Sequence, residues 1–369
     1  MAEILKTEER AVFALRELYR SRGYRSFKMS RFEAYDLYVA NKDFLRSDRV
    51  ITFSDRSGRL LAMKPDVTLS IIKNAADRPG QMLKVYYNEN VYRADPGTQG
   101  FREILQTGLE CVGDLGEYEI AEVACLAAQS LSLLGGAFVL NLSHMGLVRA
   151  VLEGSGLSGD GKKKALGFLR QKNCHELEAL CRREGLEAEP QKKLCTLAGC
   201  SGAPETVLRT LRPLLTDGEE QVLLSRLEDV CRMLSLRGFG GAIRLDFSVG
   251  NEMKYYSGLV FKGYLEGIPD SVLSGGQYDR LLQKMGRASR AIGFAINLNL
   301  LERREAHTDD VDILLLHDPS ESAEAVMTAV ESLLEQGSVL AATTVPQDRT
   351  WRAAARLEKG EIQWLGTNC

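Results

Sequence analysis

Residues 157–236 read as helix almost throughout, and this block interrupts two stretches with the spacing of strands. Before it, Leu83, Val85 and Tyr87 alternate with polar neighbours, and residues 102–112 alternate again after a loop holding Pro96, Gly97 and Gly100. After it, Ile243, Leu245, Phe247 and Val249 resume the period of two, turn near Gly250-Asn251 and continue through Tyr255 to Lys262. Strand backbones need hydrogen-bonding partners, so the two stretches are expected to meet in one sheet across the intervening helices. The expected fold class is α+β: a mixed, mainly antiparallel sheet flanked by helices, with residues 157–236 as a helical insertion.

Smaller elements fit around this frame. Val12, Leu15, Leu18 and Tyr19 give residues 8–22 an amphipathic helical stripe that ends near Gly23. Residues 49–62 read as a hairpin turning at Asp55-Arg56-Ser57-Gly58, and residues 117–134 as a second helix. Leu223, Leu227, Val230 and Leu234 form a late stripe in the insertion. From residue 306 the character changes: residues 311–316 look like a buried strand and residues 323–334 like the helix after it. The expected boundaries are a core over 1–305 and a small α/β unit over 306–369.

Charge and cysteine usage narrow the function classes. The chain of 369 residues carries a formal net charge of −3, and its stretch from 306 onward holds eleven acids against four bases, a net of −7. Neither is a surface that attracts a phosphate backbone, so nucleic acid is not an expected partner, although Lys162, Lys163 and Lys164 form a local basic run. The eight cysteines contain no Cys-x-x-Cys spacing, and the nearest pair, Cys195 and Cys200, has no second pair to complete a zinc site. Reduced thiols and no metal are expected. The opening residues lack the pattern of a secretory signal, and no apolar run reaches the roughly 20 residues of a membrane span, so a cytoplasmic location is expected.

One strand carries most of the candidate chemistry. A period of two puts Arg102, Ile104, Gln106, Gly108, Glu110 and Val112 on one face of residues 102–112, and Leu105, Thr107, Leu109 and Cys111 on the other. The polar face is either a solvated sheet surface or the floor of a pocket, with Gly108 leaving room for a small ligand. Three further segments bring polar groups after or before strands: Lys64-Pro65-Asp66-Val67-Thr68, Lys254-Tyr255-Tyr256-Ser257-Gly258 and Ser274-Gly275-Gly276-Gln277-Tyr278-Asp279.

Taken in order, these segments resemble the class II histidyl-tRNA synthetase family over roughly residues 5–302. Val91-Tyr92-Arg93 through Phe101-Arg102-Glu103-Ile104-Leu105-Gln106 is similar to the second class motif, and Ala291-Ile292-Gly293-Phe294-Ala295-Ile296 to the third. Lys64–Thr68 is similar to the family's Arg-Pro-Glu-Gly-Thr, Met253–Gly258 to its Leu-Asp-Tyr-Tyr-Thr-Gly, and Gly275–Asp279 to its Gly-Gly-Arg-Tyr-Asp. The resemblance implies a histidine pocket in which Asp66, Thr68 and Gln106 hold the α-amino group, Glu110 and Tyr256 grip the imidazole, and Tyr278 closes the site. Arg93 and Arg102 stand where the family holds phosphate; they are either a residual anion site or partners of acids such as Asp95 and Glu103.

The departures matter as much. The third motif continues Asn297-Leu298-Asn299-Leu300, placing Leu300 where synthetases hold ATP phosphate with arginine, and Asn251 stands where another arginine steadies the α-phosphate. Losing one such donor costs on the order of 10²–10³ in rate. Asp66 replaces a glutamate, Val67 a glycine, and Ser30 the first motif's proline. With the pocket kept and the phosphate arginines gone, the chain resembles the family's non-catalytic branch, the regulatory subunits of ATP phosphoribosyltransferase. That resemblance implies no catalytic residue and no cofactor of its own. It implies a short catalytic subunit as partner, histidine as effector, and a dimer of this chain within a hetero-oligomer. An active histidyl-tRNA synthetase or free-standing amino-acid-activating ligase, and a module sensing uncharged tRNA, are the competing expectations.

Overall fold

The computed structural model describes residues 6–45, 49–75, 80–95, 100–249, 255–304 and 310–367. The chain divides into two compact units, Met1–Arg304 and Glu305–Cys369. Helix α1 (Thr7–Ser21) buries Val12, Leu15 and Tyr19 and ends at Gly23, whose φ of 80° suits a residue without Cβ. Strands β1 (Arg25–Ser26) and β2 (Phe32–Ala34) and helix α2 (Tyr35–Ala40) lead to the expected hairpin, β3 (Thr52–Ser54) and β4 (Leu60–Met63). Asp55 sets its turn by accepting from the Ser57 and Arg59 amides, each at 2.9 Å. Helix α3 (Thr68–Asn74) follows, then the long strands β5 (Met82–Ala94) and β6 (Phe101–Gly113), helix α4 (Glu117–Leu133), strand β7 (Phe138–His144) and helix α5 (Met145–Gly154).

The insertion contains α6 (Gly159–Arg170), α7 (Cys174–Arg183), α8 (Ala188–Gly199), α9 (Pro204–Leu211) and α10 (Gly218–Leu236). It is not wholly helical. A two-residue strand, β8 (Ser201–Gly202), pairs with β9 (Ile243–Asp246) and joins the insertion to the sheet. The core unit closes with β10 (Leu259–Leu265), β11 (Leu273–Gln277), α11 (Asp279–Lys284) and β12 (Arg290–Asn297).

Nine strands form one sheet in the order β1-β5-β6-β12-β11-β10-β7-β9-β8. Only β1–β5 and β7–β9 pair in parallel, so the sheet is mainly antiparallel. The period-two reading of β6 holds: Leu109 and Cys111 join Leu15, Tyr19, Val123 and Ala127 in the main apolar core, while Val112 joins Tyr278 and Leu281 in a second cluster on the other face. A hydrogen bond of 3.0 Å between the Tyr19 and Ser130 hydroxyls ties α1 to α4 inside the core.

Two strands are shorter than their alternation suggests. β9 stops at Asp246 because that carboxylate accepts from the Ser248 amide and hydroxyl at 3.0 and 2.6 Å, turning the chain although Phe247 and Val249 remain buried. β10 starts at Leu259, not at Tyr255. Tyr255 to Gly258 form a turn fixed by Ser257 N–H donating to the Gln277 carbonyl (2.8 Å) and Met145 N–H to the Gly258 carbonyl (2.8 Å). The turn at Gly250-Asn251, like Lys254 itself, lies outside the described residues.

The second unit builds a four-stranded sheet, β14-β13-β15-β16, from β13 (Val311–His317), β14 (Val339–Ala342), β15 (Trp351–Glu358) and β16 (Glu361–Thr367). Helix α12 (Ala323–Leu334), capped by the Ser322 hydroxyl, packs Ala329 and Leu333 on Ile313, Leu315 and Ala355. Among the described residues all cysteines are free thiols, and no helix is long and apolar enough to cross a membrane.

Candidate functional site

From Gln106 onward the polar face of β6 is buried and not a solvated sheet surface: Gln106 is 4% exposed and Glu110 2%. Glu110 lies opposite Gly293 of β12, and a Cβ at 293 would overlap its carboxylate. The glycine in that strand therefore makes the space in which Glu110 lies flat. Its Oε1 accepts a hydrogen bond from the Thr68 hydroxyl at 2.7 Å, and its Oε2 accepts one from the Tyr278 hydroxyl. Burial pushes the Glu110 carboxyl up to about 8; the two hydroxyls pull against this, and the nearby Asp66 charge adds to it.

The other members come from elements that β6 organises. Asp66 precedes α3 and accepts from the Leu69 amide at 3.0 Å through Oδ1, which satisfies one of the open N–H groups of that helix. Arg93 on β5 donates from Nε to the Pro65 carbonyl at 3.0 Å and from Nη2 to Gln106 Oε1 at 3.5 Å, so it fixes the 64–66 turn against the sheet. Tyr255 packs edge-on against Tyr256 at 4.8 Å and beside Tyr278 at 5.6 Å.

A cleft lies among these groups, and Asp66, Thr68, Gln106, Glu110, Tyr256 and Tyr278 all line it together with Arg93. Arg102 does not. Although it is the direct cross-strand partner of Arg93, its side chain is 52% exposed and its Nε lies 3.7 Å from Asp95. The room expected above Gly108 is also taken: a Cβ there would meet the Tyr87 hydroxyl at 2.7 Å, so the phenol of the facing strand fills the gap. Ser274, from the segment that also holds Tyr278, lines the cleft as well, and so does Phe44, which carried no signal in the sequence. Lys64, beneath the turn, is fully buried and paired with Glu89 at 2.8 Å.

The phosphate side of the site is different. Leu300 lies in the 3-10 stretch Leu298–Arg304, is 8% exposed and belongs to the main apolar core. Its neighbour Asn299, though exposed, accepts from the Leu105 amide at 2.7 Å through Oδ1, tying that stretch to β6. Asn251, the other departure, lies outside the described residues. The arrangement is a closed polar pocket whose carboxyl, hydroxyl and amide groups suit a small ligand with N–H donors.

The chain belongs to the histidyl-tRNA synthetase family, whose model matches residues 3–301. Within that family the similarity runs to regulatory proteins. The chain is 28% identical over 295 residues to an ATP phosphoribosyltransferase regulatory subunit of Alkaliphilus metalliredigens, covering 78% of this chain and 74% of the relative. It is 27% identical over 324 residues to the regulatory subunit of Bacillus thuringiensis, covering 84% and 76%. Among solved structures, an ATP phosphoribosyltransferase regulatory subunit/histidyl-tRNA synthetase from Bacillus halodurans C superposes with a TM-score of 0.72 at 24% identity, covering 91% of this chain and 88% of that one. An ATP phosphoribosyl transferase (HisG:HisZ) complex from Thermotoga maritima gives 0.64 at 20% identity over 79% of this chain and 97% of its counterpart. These likenesses fix the class II synthetase fold and favour the regulatory reading over that of an active ligase.

Proposed function

We propose that this chain is the non-catalytic regulatory subunit of an ATP phosphoribosyltransferase, binding a short catalytic subunit and carrying histidine feedback in the first step of histidine biosynthesis. One contrast supports this best. The polar pocket around Glu110 is intact, while Leu300, where a synthetase needs a phosphate-binding arginine, is packed into the apolar core. In this reading Glu110 and Tyr256 recognise the imidazole, Asp66, Thr68 and Gln106 hold the α-amino end, and Tyr278 closes the pocket. Arg93 offers its remaining charge to the ligand's carboxylate side, and Arg102 stays with Asp95. The working form is a cytoplasmic hetero-oligomer built on dimers of this chain, with the active site on the partner.

The test is co-expression with the short phosphoribosyltransferase chain of the same organism, followed by size analysis and a phosphoribosyl-ATP assay with and without histidine. Association, activity only in the complex and inhibition by histidine are expected. Chains that neither associate nor change each other's activity at micromolar concentration overturn the reading, as does histidine-dependent pyrophosphate exchange by this chain alone at a synthetase-like rate.

A further inference from the structure

A second cleft lies where the insertion meets the core. It is lined by the polar face of α5 (Arg149, Glu153), the first turns of α10 (Asp217, Glu219, Glu220, Arg226), Lys193 of α8 and the short segments 257–258 and 277–279. Those two segments carry Tyr256 and Tyr278 of the first pocket as sequence neighbours, and they are joined to each other by the Ser257–Gln277 bond. Nothing in the function proposed above uses this cleft.

Most of its charges are internally matched. Lys193 pairs with Glu220 at 2.8 Å, Arg290 with Asp279 at 3.5 Å, and Arg226 with Glu117 at 3.2 Å. Asp217 caps α10 by accepting from the Glu219 amide at 2.9 Å, and Glu153 takes Lys162. Arg149 is the exception among these lining groups: its Nε and Nη2 are both buried and neither has a hydrogen-bond partner. The Arg280 cation repels it, and Glu153 and Glu219 attract it without forming an ion pair. Nε–H and one Nη–H of a guanidinium form a parallel fork, the edge that takes both oxygens of a carboxylate or phosphate. Arg149 itself is half-buried, but two buried N–H donors on one edge left unsatisfied are costly unless a ligand completes them.

The surroundings choose between the two anions. Five carboxylates, those of Glu153, Asp217, Glu219, Glu220 and Asp279, line the same cleft as four Lys and Arg residues, and Glu153 and Glu219 act on Arg149 itself, so a phosphate dianion seated there meets more opposition than a ligand with a single negative charge. A ligand with one carboxylate and a cationic group has no such conflict. His144 adds a donor: its Nδ1 accepts from the Leu147 amide at 3.2 Å, and burial keeps the ring neutral, so the proton resides on Nε2. Gly146 leaves the ring room, since a Cβ there would lie 3.0 Å from His144 Cε1.

We propose that this cleft is a second small-molecule site, which binds a zwitterionic amino acid with its carboxylate held side-on by Arg149 and its ammonium among Glu153 and Glu219. The test follows the side-chain Nε–H signal of Arg149 by NMR on full-length protein labelled with ¹⁵N-arginine, assigned by its loss in Arg149→Lys. Glycine, acetate and inorganic phosphate are titrated separately. The expected result is a saturable shift with glycine, at an affinity at least about tenfold above that of acetate and of phosphate, as the second charged contact requires. The shift should persist in Glu110→Gln, which disables the first pocket, so failure here and failure of the regulatory reading are separate outcomes. Absence of a saturable shift with glycine, or phosphate binding as tightly as glycine, overturns the proposal. A glycine-dependent shift elsewhere that survives unchanged in Arg149→Lys, with none at Arg149 itself, overturns it equally.

Discussion

Glu110 and Gly293 face each other across β6 and β12, and the carboxylate of the first occupies the volume that any side chain on the second would need. The pocket thus depends on the absence of one carbon atom. Gly293→Ala is expected to push Glu110 off Thr68 and Tyr278 and to destabilise the fold by about 1–3 kcal/mol through overpacking. Urea unfolding measures the loss, and histidine titration should show binding abolished; a variant that binds like wild type would place recognition elsewhere.

Substituting Glu110→Ala removes the acceptor for an imidazole N–H, with an expected loss of roughly 1.5–3 kcal/mol, or about 10- to 150-fold in histidine affinity. Tyr256→Phe deletes a single hydroxyl and should cost about 0.5–1.5 kcal/mol. Calorimetric titration of each variant, alone and in complex with the catalytic chain, checks both. Unchanged affinity in both settings would move the regulatory site to the subunit contact.

The stability of the protein should carry the signatures of two buried groups with opposite signs. Glu110 is raised from 4.5 to about 8, so the folded state holds a proton that the unfolded state has released, and stability falls between those values as pH rises. His144 is lowered from 6.5 to about 4, so the unfolded state binds the extra proton, and stability falls as pH drops through that window. Where the windows overlap the slopes, each about 1.4 kcal/mol per pH unit, cancel. The expected profile contribution is flat from roughly pH 4.5 to 6.5 and declines from there to pH 8. Glu110→Gln removes only the first term. Its denaturation midpoint should rise from pH 4 to 6.5 and then hold level, and a variant that still declined above 6.5 would show that Glu110 is not the group responsible.

Leu300→Arg does not recreate a phosphate site, because residue 300 is enclosed by apolar neighbours rather than facing the cleft. The guanidinium would be buried without a partner, at an expected cost of more than about 2 kcal/mol. Thermal unfolding measures it, with pyrophosphate exchange as the functional readout. A variant as stable as wild type that gained exchange activity would contradict this account.

The sequence carried the sheet through its alternation, and it carried the site wherever a polar residue recurred at strand spacing, as with Gln106 and Glu110. What it could not convey were contacts made across the sheet. Tyr87 looked like one more alternating strand residue, yet register places it over Gly108, where it fills the space a ligand seemed free to use. Lys64 opened a segment that pointed only to Asp66 and Thr68, and its burial against Glu89 follows from a strand 25 residues further along. The two tyrosines at 255 and 256 promised a strand start. Their turn is instead imposed by the Gln277 carbonyl, a partner that no local pattern announces.

The bond from the Leu69 amide to Asp66 has a thermodynamic corollary. A free aspartate at the mouth of a cleft must surrender rotamer freedom when it takes a ligand, and that loss subtracts from affinity. Asp66 has already surrendered it to helix α3 through Oδ1, and on the proposed reading its second oxygen meets an incoming ammonium. The entropy of ordering this contact is therefore charged to folding and not to recognition, so a ligand as small as a free amino acid can be retained by a handful of contacts.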